Sequence, residues 1–237
     1  MTVVRESRTR VSASGRAPAG LSLPEGRWHG GLWVTDRKLE LPDRYGHCVA
    51  EYERTGLWPV LVPRDSRFEA SGADWIDDRG WLSPSQELVD ELSPARVLQQ
   101  WWPGDCCDGA CLAPYGATFA GLARPVRSRT DRLANAGNTG VLLATRDSYR
   151  LGLVRVDRPA DIPASLGWAG MINATGDVAA VSSVLRSWEE RFSAVLVTLG
   201  FDLLELAVAA PPQAGAHALA VAAEHLRQRR TWHFRWN

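Results

Sequence analysis

The chain has 237 residues, 45% of them hydrophobic, and its 27 Lys and Arg are matched by 27 Asp and Glu. That is enough apolar mass for one large α/β domain or two small ones, and it excludes a disordered chain. The even charge leaves no field to draw phosphate backbones or acidic membranes, so neither nucleic acid nor a membrane is an expected partner.

In chain order, residues 1–20 mix Arg, Ser, Gly and Ala without period and read as a tail. "GLWVTD" predicts a strand, "LPDRYGHCVAEYERTG" a helix over 43–55 capped by Gly56, and "LWPVLV" a second strand. Residues 63–80 read as a loop anchored by Phe68, Trp75 and Trp81, and Ser83-Pro84 and Ser93-Pro94 each open a short helix. From 103 to 138 Gly and Pro are frequent and periodicity is lost, which predicts a long irregular central loop with a boundary near 127–140.

The second half is more regular. "YRLGLVRV" predicts a strand and "RPADIPASLGW" a short helix or turn. "DVAAVSSVLRSWEERF" predicts a helix capped by Asp177, with Val178, Val181, Val184 or Leu185, Trp188 and Phe192 as its apolar stripe. "AVLVTLG" and "LLELAVAA" predict strands joined at Gly200 to Asp202, the second with one more solvated face; a further helix and an aromatic strand, "TWHFRWN", close the chain. The fold class is therefore α/β (α+β), a mixed β-sheet covered by amphipathic helices. The expected division is a tail (1–20), an N-terminal region (21–126) and a C-terminal region (140–237), or one continuous domain over 28–237.

No run reaches the roughly 18 apolar residues of a membrane span, and the N-terminus lacks an apolar signal core, so a soluble cytoplasmic protein is expected. Four cysteines, three of them in "DCCDGAC" (105–111), do not make a secreted disulfide framework. Cys106, Cys107 and Cys111 lack the paired spacing of a zinc or redox motif, and a metal site there requires Cys48 or His47 from the 43–55 helix. Without that contact the thiols are incidental, and no cofactor is expected. The histidines are scattered, and none of the usual nucleophile, phosphate-loop or zinc-protease motifs occurs.

The remaining candidates lie mostly in the second half. Glu189, Asp202 and Glu205 are candidate acid–base groups. Arg186 and Arg191, with Asn173 and Trp168, are candidate ligand contacts, since arginine beside carboxylates can clamp an anion as well as form ordinary ion pairs. Trp101 and Trp102 are adjacent at a helix end, so one of them is expected to line a pocket or contact surface.

The ordered run L-G-W, D-V-A…V-L-R-S-W-E-E-R-F, G-F-D-L-L-E-L and V-A-A-P-P, followed by "ALAVAAEHL", resembles the bacterial family of domains of unknown function called DUF4253. The likeness is most specific over residues 149–226. With "EYERTGLWPVLV", "QQWW" and "APYGATFAGLA" it extends to roughly 30–237. The resemblance implies a soluble bacterial α/β protein and supplies no activity. The chain departs from the family pattern where "HLRQRRTWHFRWN" runs from helix to strand without the Cys-Pro-Asp-Asn segment and further helix, and "DCCDGAC" falls in a variable, often acidic loop of the family. The functional expectation is a non-catalytic interaction or ligand-binding module, of immunity or accessory type, with a protein partner. The alternative is an enzyme or sensor for a small anionic ligand, which requires several of Arg186, Glu189, Arg191, Asp202 and Asn173 to converge in one concavity.

Overall fold

The apolar runs at 57–63, 149–155 and 194–199 become neighbouring strands of one mixed sheet. The computed structural model describes residues 14–15, 17–64, 74–78, 81–102, 114–171, 175–212 and 214–224. Its strands are β1 (Ser14–Gly15), β2 (Gly26–His29), β3 (Leu32–Thr35), β4 (Leu57–Pro63), β5 (Tyr149–Arg155), β6 (Ala194–Leu199) and β7 (Leu204–Val208), in the spatial order β1-β2-β3-β5-β4-β6-β7. Only β4 and β6 run parallel, meeting at Leu61 and Thr198; the other neighbours are antiparallel. β4, from the first half of the chain, thus lies between two strands of the second half, and all but its last residue are buried. The parallel seam is short, and the Trp58 indole reinforces it by donating to the Leu196 carbonyl at 2.8 Å.

Eight helices are described: α1 (Asp43–Ala50), α2 (Tyr52–Thr55), α3 (Trp75–Asp78), α4 (Pro94–Trp101), α5 (Arg132–Arg146), α6 (Ile162–Leu166), α7 (Val178–Phe192) and α8 (Gly215–Ala223). The α/β class holds, and none of these helices is long and apolar enough to cross a membrane. α7 forms as the sequence predicts: the Asp177 carboxylate accepts from the Ala180 amide at 3.0 Å, and Val178, Val181, Val184, Leu185, Trp188 and Phe192 are all buried. Gly56 takes the left-handed cap conformation (φ 65°) that ends α2 and turns the chain into β4.

Several expectations are corrected. The single helix over 43–55 is interrupted at Glu51, giving α1 and α2. Ser83-Pro84 leads into a 3-10 turn over Gln86–Glu91 rather than an α-helix, whereas Ser93-Pro94 opens α4 with Pro in its first turn. β7 has no solvated face: all five of its residues are buried, Glu205 included. Within the expected tail, Ser14 and Gly15 pair with β2 and Pro18–Gly20 forms a turn. The cysteine loop and the closing aromatic strand lie outside the described residues.

The largest correction is α5. Residues 132–138 fall in the expected central loop, yet they lie in a 15-residue helix whose N-cap Asp131 accepts from the Ala134 amide at 2.8 Å. One of its glycines is a spacing device. Gly140 lies against the Tyr45 ring, where α5 approaches α1 more closely than a side chain would allow, whereas Gly137, facing Val49, leaves room for one. Tertiary packing overrides local propensity here.

This contact makes a discriminating prediction. A methyl at Gly140 would overlap the Tyr45 ring, whereas at Gly137 the nearest atom is 3.7 Å away. Gly140→Ala should therefore lose about 2 kcal/mol through overpacking. Gly137→Ala should be neutral or gain up to about 1 kcal/mol from helix propensity. Urea unfolding of the two variants measures the difference, and equal effects would refute the close-packing account.

Candidate functional site

The polar residues of α7 are held in two guanidinium–carboxylate clusters. In the first, Arg186 grips Asp161 with two bonds (Nε to Oδ1 2.5 Å, Nη2 to Oδ2 2.8 Å) and also pairs with the exposed Asp90. Bonding to Asp161 is the main cause that raises the pKa of Arg186 above its ordinary value, so it stays charged. Arg158 donates from Nε to Glu189 Oε2 at 2.5 Å, and from Nη2 to Glu190 Oε1 at 2.8 Å and the Arg186 carbonyl at 3.3 Å. The Glu189 side chain is 1% exposed, and Arg132, the first residue of α5, brings its guanidinium to 3.5 Å from the other carboxylate oxygen. Tyr52, whose hydroxyl donates to the Val156 carbonyl, has its pKa pushed up to about 12 by burial and then by the Glu189 charge. Burial thus favours a neutral phenol beside a carboxylate held by two arginines.

The second cluster centres on Glu224, just past α8, whose side chain is fully buried. Its carboxylate accepts from Arg191 Nη1 (2.8 Å) and Nη2 (2.6 Å), from the Trp188 indole (2.8 Å) and from the Ala123 amide (2.7 Å). Arg191 also donates to the Ala123 carbonyl at 3.0 Å and to Ser187 Oγ at 3.0 Å, and lies over the Phe192 ring at 4.7 Å. The Arg191 carbonyl accepts from the Val126 amide at 2.8 Å, and His217 on α8 makes a 2.8 Å hydrogen bond with the Arg124 carbonyl. One ion pair therefore ties α7, α8 and the irregular segment 120–127 together.

Between that segment and α8 runs an open groove of about 720 Å³. Leu122, Pro125, Ala216 and Ala220 supply apolar walls, with Arg124 and Arg127 also lining it. Both arginines are exposed, and neither has a carboxylate partner among the described residues.

Among the described residues the sequence candidates divide: Arg186 and Glu189 share the first cluster, Arg191 lies in the second, and Asp202 and Glu205 belong to the β6–β7 hairpin. The carboxylates on Arg186 and Arg191 are Asp161, Asp90 and Glu224, and Asp202 and Glu205 pair with neither arginine. Asp202 is half-buried in the turn after β6, and Glu205 is buried opposite Thr198. Trp168 is a core residue whose indole donates to the Gly200 carbonyl at 2.8 Å. Trp101 is buried, while Trp102 is half-buried against Phe119 and donates to the Gly116 carbonyl at 3.3 Å. Asn173, Cys106, Cys107 and Cys111 lie outside the described residues. Cys48 is buried in α1 with its thiol pushed up to about 12, chiefly by burial, which keeps it protonated at neutral pH. Among the described residues no group of three His, Cys, Asp or Glu is placed to hold a metal.

Sequence reasoning missed Arg158, Asp161, Arg132, Glu224 and the groove. Each depends on a contact between residues far apart in the chain, such as Glu224 with Ala123, which no local spacing encodes. His29, one of the scattered histidines, likewise gains its setting only from the fold. Its ring is 9% exposed, with Nδ1 3.0 Å from Asp77 Oδ1. Burial, with help from Arg150 and Arg27, holds its pKa below the ordinary value against the raising effects of Asp77 and Asp74.

Residues 150–228 match the family model described as Domain of unknown function (DUF4253). No curated protein and no solved structure matches the chain.

Two predictions follow from these contacts. Glu224→Ala strands the Arg191 charge, the Trp188 indole and the Ala123 amide, and should cost about 3–5 kcal/mol. Glu224→Gln keeps one acceptor oxygen without the charge and should cost less; equal losses in denaturant titrations would show that a neutral acceptor replaces none of what the carboxylate contributes. For His29, a depressed folded-state pKa means that the unfolded chain binds the proton more readily. Stability should therefore be flat above about pH 6.5 and fall below it, by at most about 1.4 kcal/mol per unit from this group. His29→Asn should remove that part of the slope in unfolding curves taken across the range.

Proposed function

We propose that this DUF4253-family chain is a non-catalytic binding protein of the accessory or immunity type, taking a protein partner in the groove between residues 120–127 and α8. It works in the cytoplasm and needs no cofactor. The Arg191–Glu224 clamp carries this reading: it spends the candidate ligand-binding arginine on fixing both groove walls, and leaves Arg124 and Arg127 as the uncommitted cations beside the apolar surface. Small apolar side chains on α8 allow a partner to approach closely, as docking grooves require.

The alternative, an enzyme or sensor of a small anionic ligand built on Arg186 and Arg191, has less support. Such a ligand would have to displace Asp161 or Glu224, which are 3% and 0% exposed. That exchange strands a buried carboxylate at a cost of several kcal/mol.

Site-specific photo-crosslinking tests the reading. A photoreactive residue at Leu122, in the groove, should give a discrete adduct in native cells. The same residue at Leu88, exposed on the Gln86–Glu91 turn, should not. No adduct from position 122, or indistinguishable patterns from both positions, would overturn the proposal.

A further inference from the structure

We infer that the groove accepts an acidic polypeptide segment carrying apolar side chains, an inference that rests on the docking reading above. The first argument is charge. Arg124 and Arg127 line the groove, and Arg129 follows them; all three are exposed and lack carboxylate partners among the described residues. The carboxylate beneath them, Glu224, is fully buried and already neutralised by Arg191. Asp131, the nearest acid in sequence, is committed as the N-cap of α5. Among the described residues the rim is thus a local excess of positive charge on a chain whose total charge is zero.

The second argument is shape and chemistry. α8 offers the groove Ala216 and Ala220, and neighbouring Ala218 and Leu219 are exposed; this surface suits aliphatic side chains better than flat bases. Single-stranded nucleic acid calls for successive aromatic platforms along a basic track, and among the described residues the groove's aromatic side chains are Tyr115 and His217. The His217 ring is already engaged with the Arg124 carbonyl and packs against Phe192.

The third argument concerns the chain's own ends as occupants. Residues 225–237 contain Arg227, Arg229, Arg230 and Arg235 and no acid, and residues 1–13 contain Arg5, Arg8 and Arg10 against Glu6. Both segments share the sign of the rim, so neither supplies the complementary charge. Residues 103–113 carry two acids, Asp105 and Asp108, set among Gly and Cys, and a segment of another protein richer in both acidic and aliphatic side chains fits the groove better.

The test measures fluorescence anisotropy of three labelled peptides of equal length against the full chain: alternating Glu and Leu, alternating Lys and Leu, and alternating Glu and Ser. The Glu–Leu peptide should bind saturably, at least about tenfold more tightly than either control, and weaken as salt is raised. Arg124→Glu with Arg127→Glu, both at exposed positions, should leave the circular dichroism unchanged and reverse the preference toward the Lys–Leu peptide. Equal binding of the Glu–Leu and Lys–Leu peptides, abolished in both cases by Leu122→Asp, would overturn the acidic partner while preserving the docking groove. Failure of every peptide together with no adduct at Leu122 would overturn both. Displacement of the Glu–Leu peptide by a single-stranded oligonucleotide, or a concentration-dependent dimer lost in the double arginine variant, would overturn the inference in favour of nucleic acid or a second copy of the chain.

Discussion

Glu224 is the constraint on which the second half of the molecule depends. A carboxylate with no exposure to water is costly to bury, and its charge must be met by donors aimed at both oxygens. Here it accepts from Arg191, Trp188 and Ala123, so its donors come from two pieces of chain, α7 and segment 120–127. Two of those donors lie three residues apart on α7, the spacing that puts side chains on one helical face, and the third is the backbone of segment 120–127. Without the carboxylate, that segment would keep only its bonds to Arg191 and the His217 contact among the hydrogen bonds given above.

The same logic sets the position of α7 at its other polar edge. Arg186 and Arg158 bridge between this helix and the Arg158–Leu166 stretch, and Arg132 brings in the start of α5. These pairs are only partly exposed, so each guanidinium loses some hydration. Fork-shaped bonding, as between Arg186 and Asp161, compensates better than a point charge would. The gain in net stability over well-packed apolar residues need not be large. What the arrangement supplies is a defined seat for α7 on the sheet and on its neighbouring helices.

Much of the fold was legible because its signals are local. Asp177 as a cap, the Val178-to-Phe192 stripe and Gly56 as a left-handed stop all act within a few residues, and each acts in the structure as read. α5 was illegible for a physical reason: the feature that makes it pack, glycine against the Tyr45 ring, is the one that lowers helix propensity in isolation. β7 misled similarly, since Glu205 suggested a wet face while the fold buries it. For the site, residue types were readable and partners were not. Arg186, Glu189 and Arg191 are polar groups in a charged run, but whether they meet a ligand or Asp161, Arg158 and Glu224 is decided by contacts across 25 to 33 positions.

These pairings change what the R-S-W-E-E-R-F run means chemically. Its first arginine holds Asp161, its tryptophan and last arginine hold Glu224, and its first glutamate receives Arg158, so the run reads as a packing instruction among elements of residues 150–228. The sheet carrying those elements is completed from outside the matched stretch, because β4 fills the place between β5 and β6. The groove has the same dual origin: α8 belongs to the matched residues, while Leu122, Arg124 and Arg127 do not. A chain built this way combines an inner wall set by buried charge pairs with an outer segment whose charge pattern lies outside the matched residues. Under the docking function proposed above, specificity belongs to residues 120–129, and the polar motif of α7 acts on it by holding that segment in place.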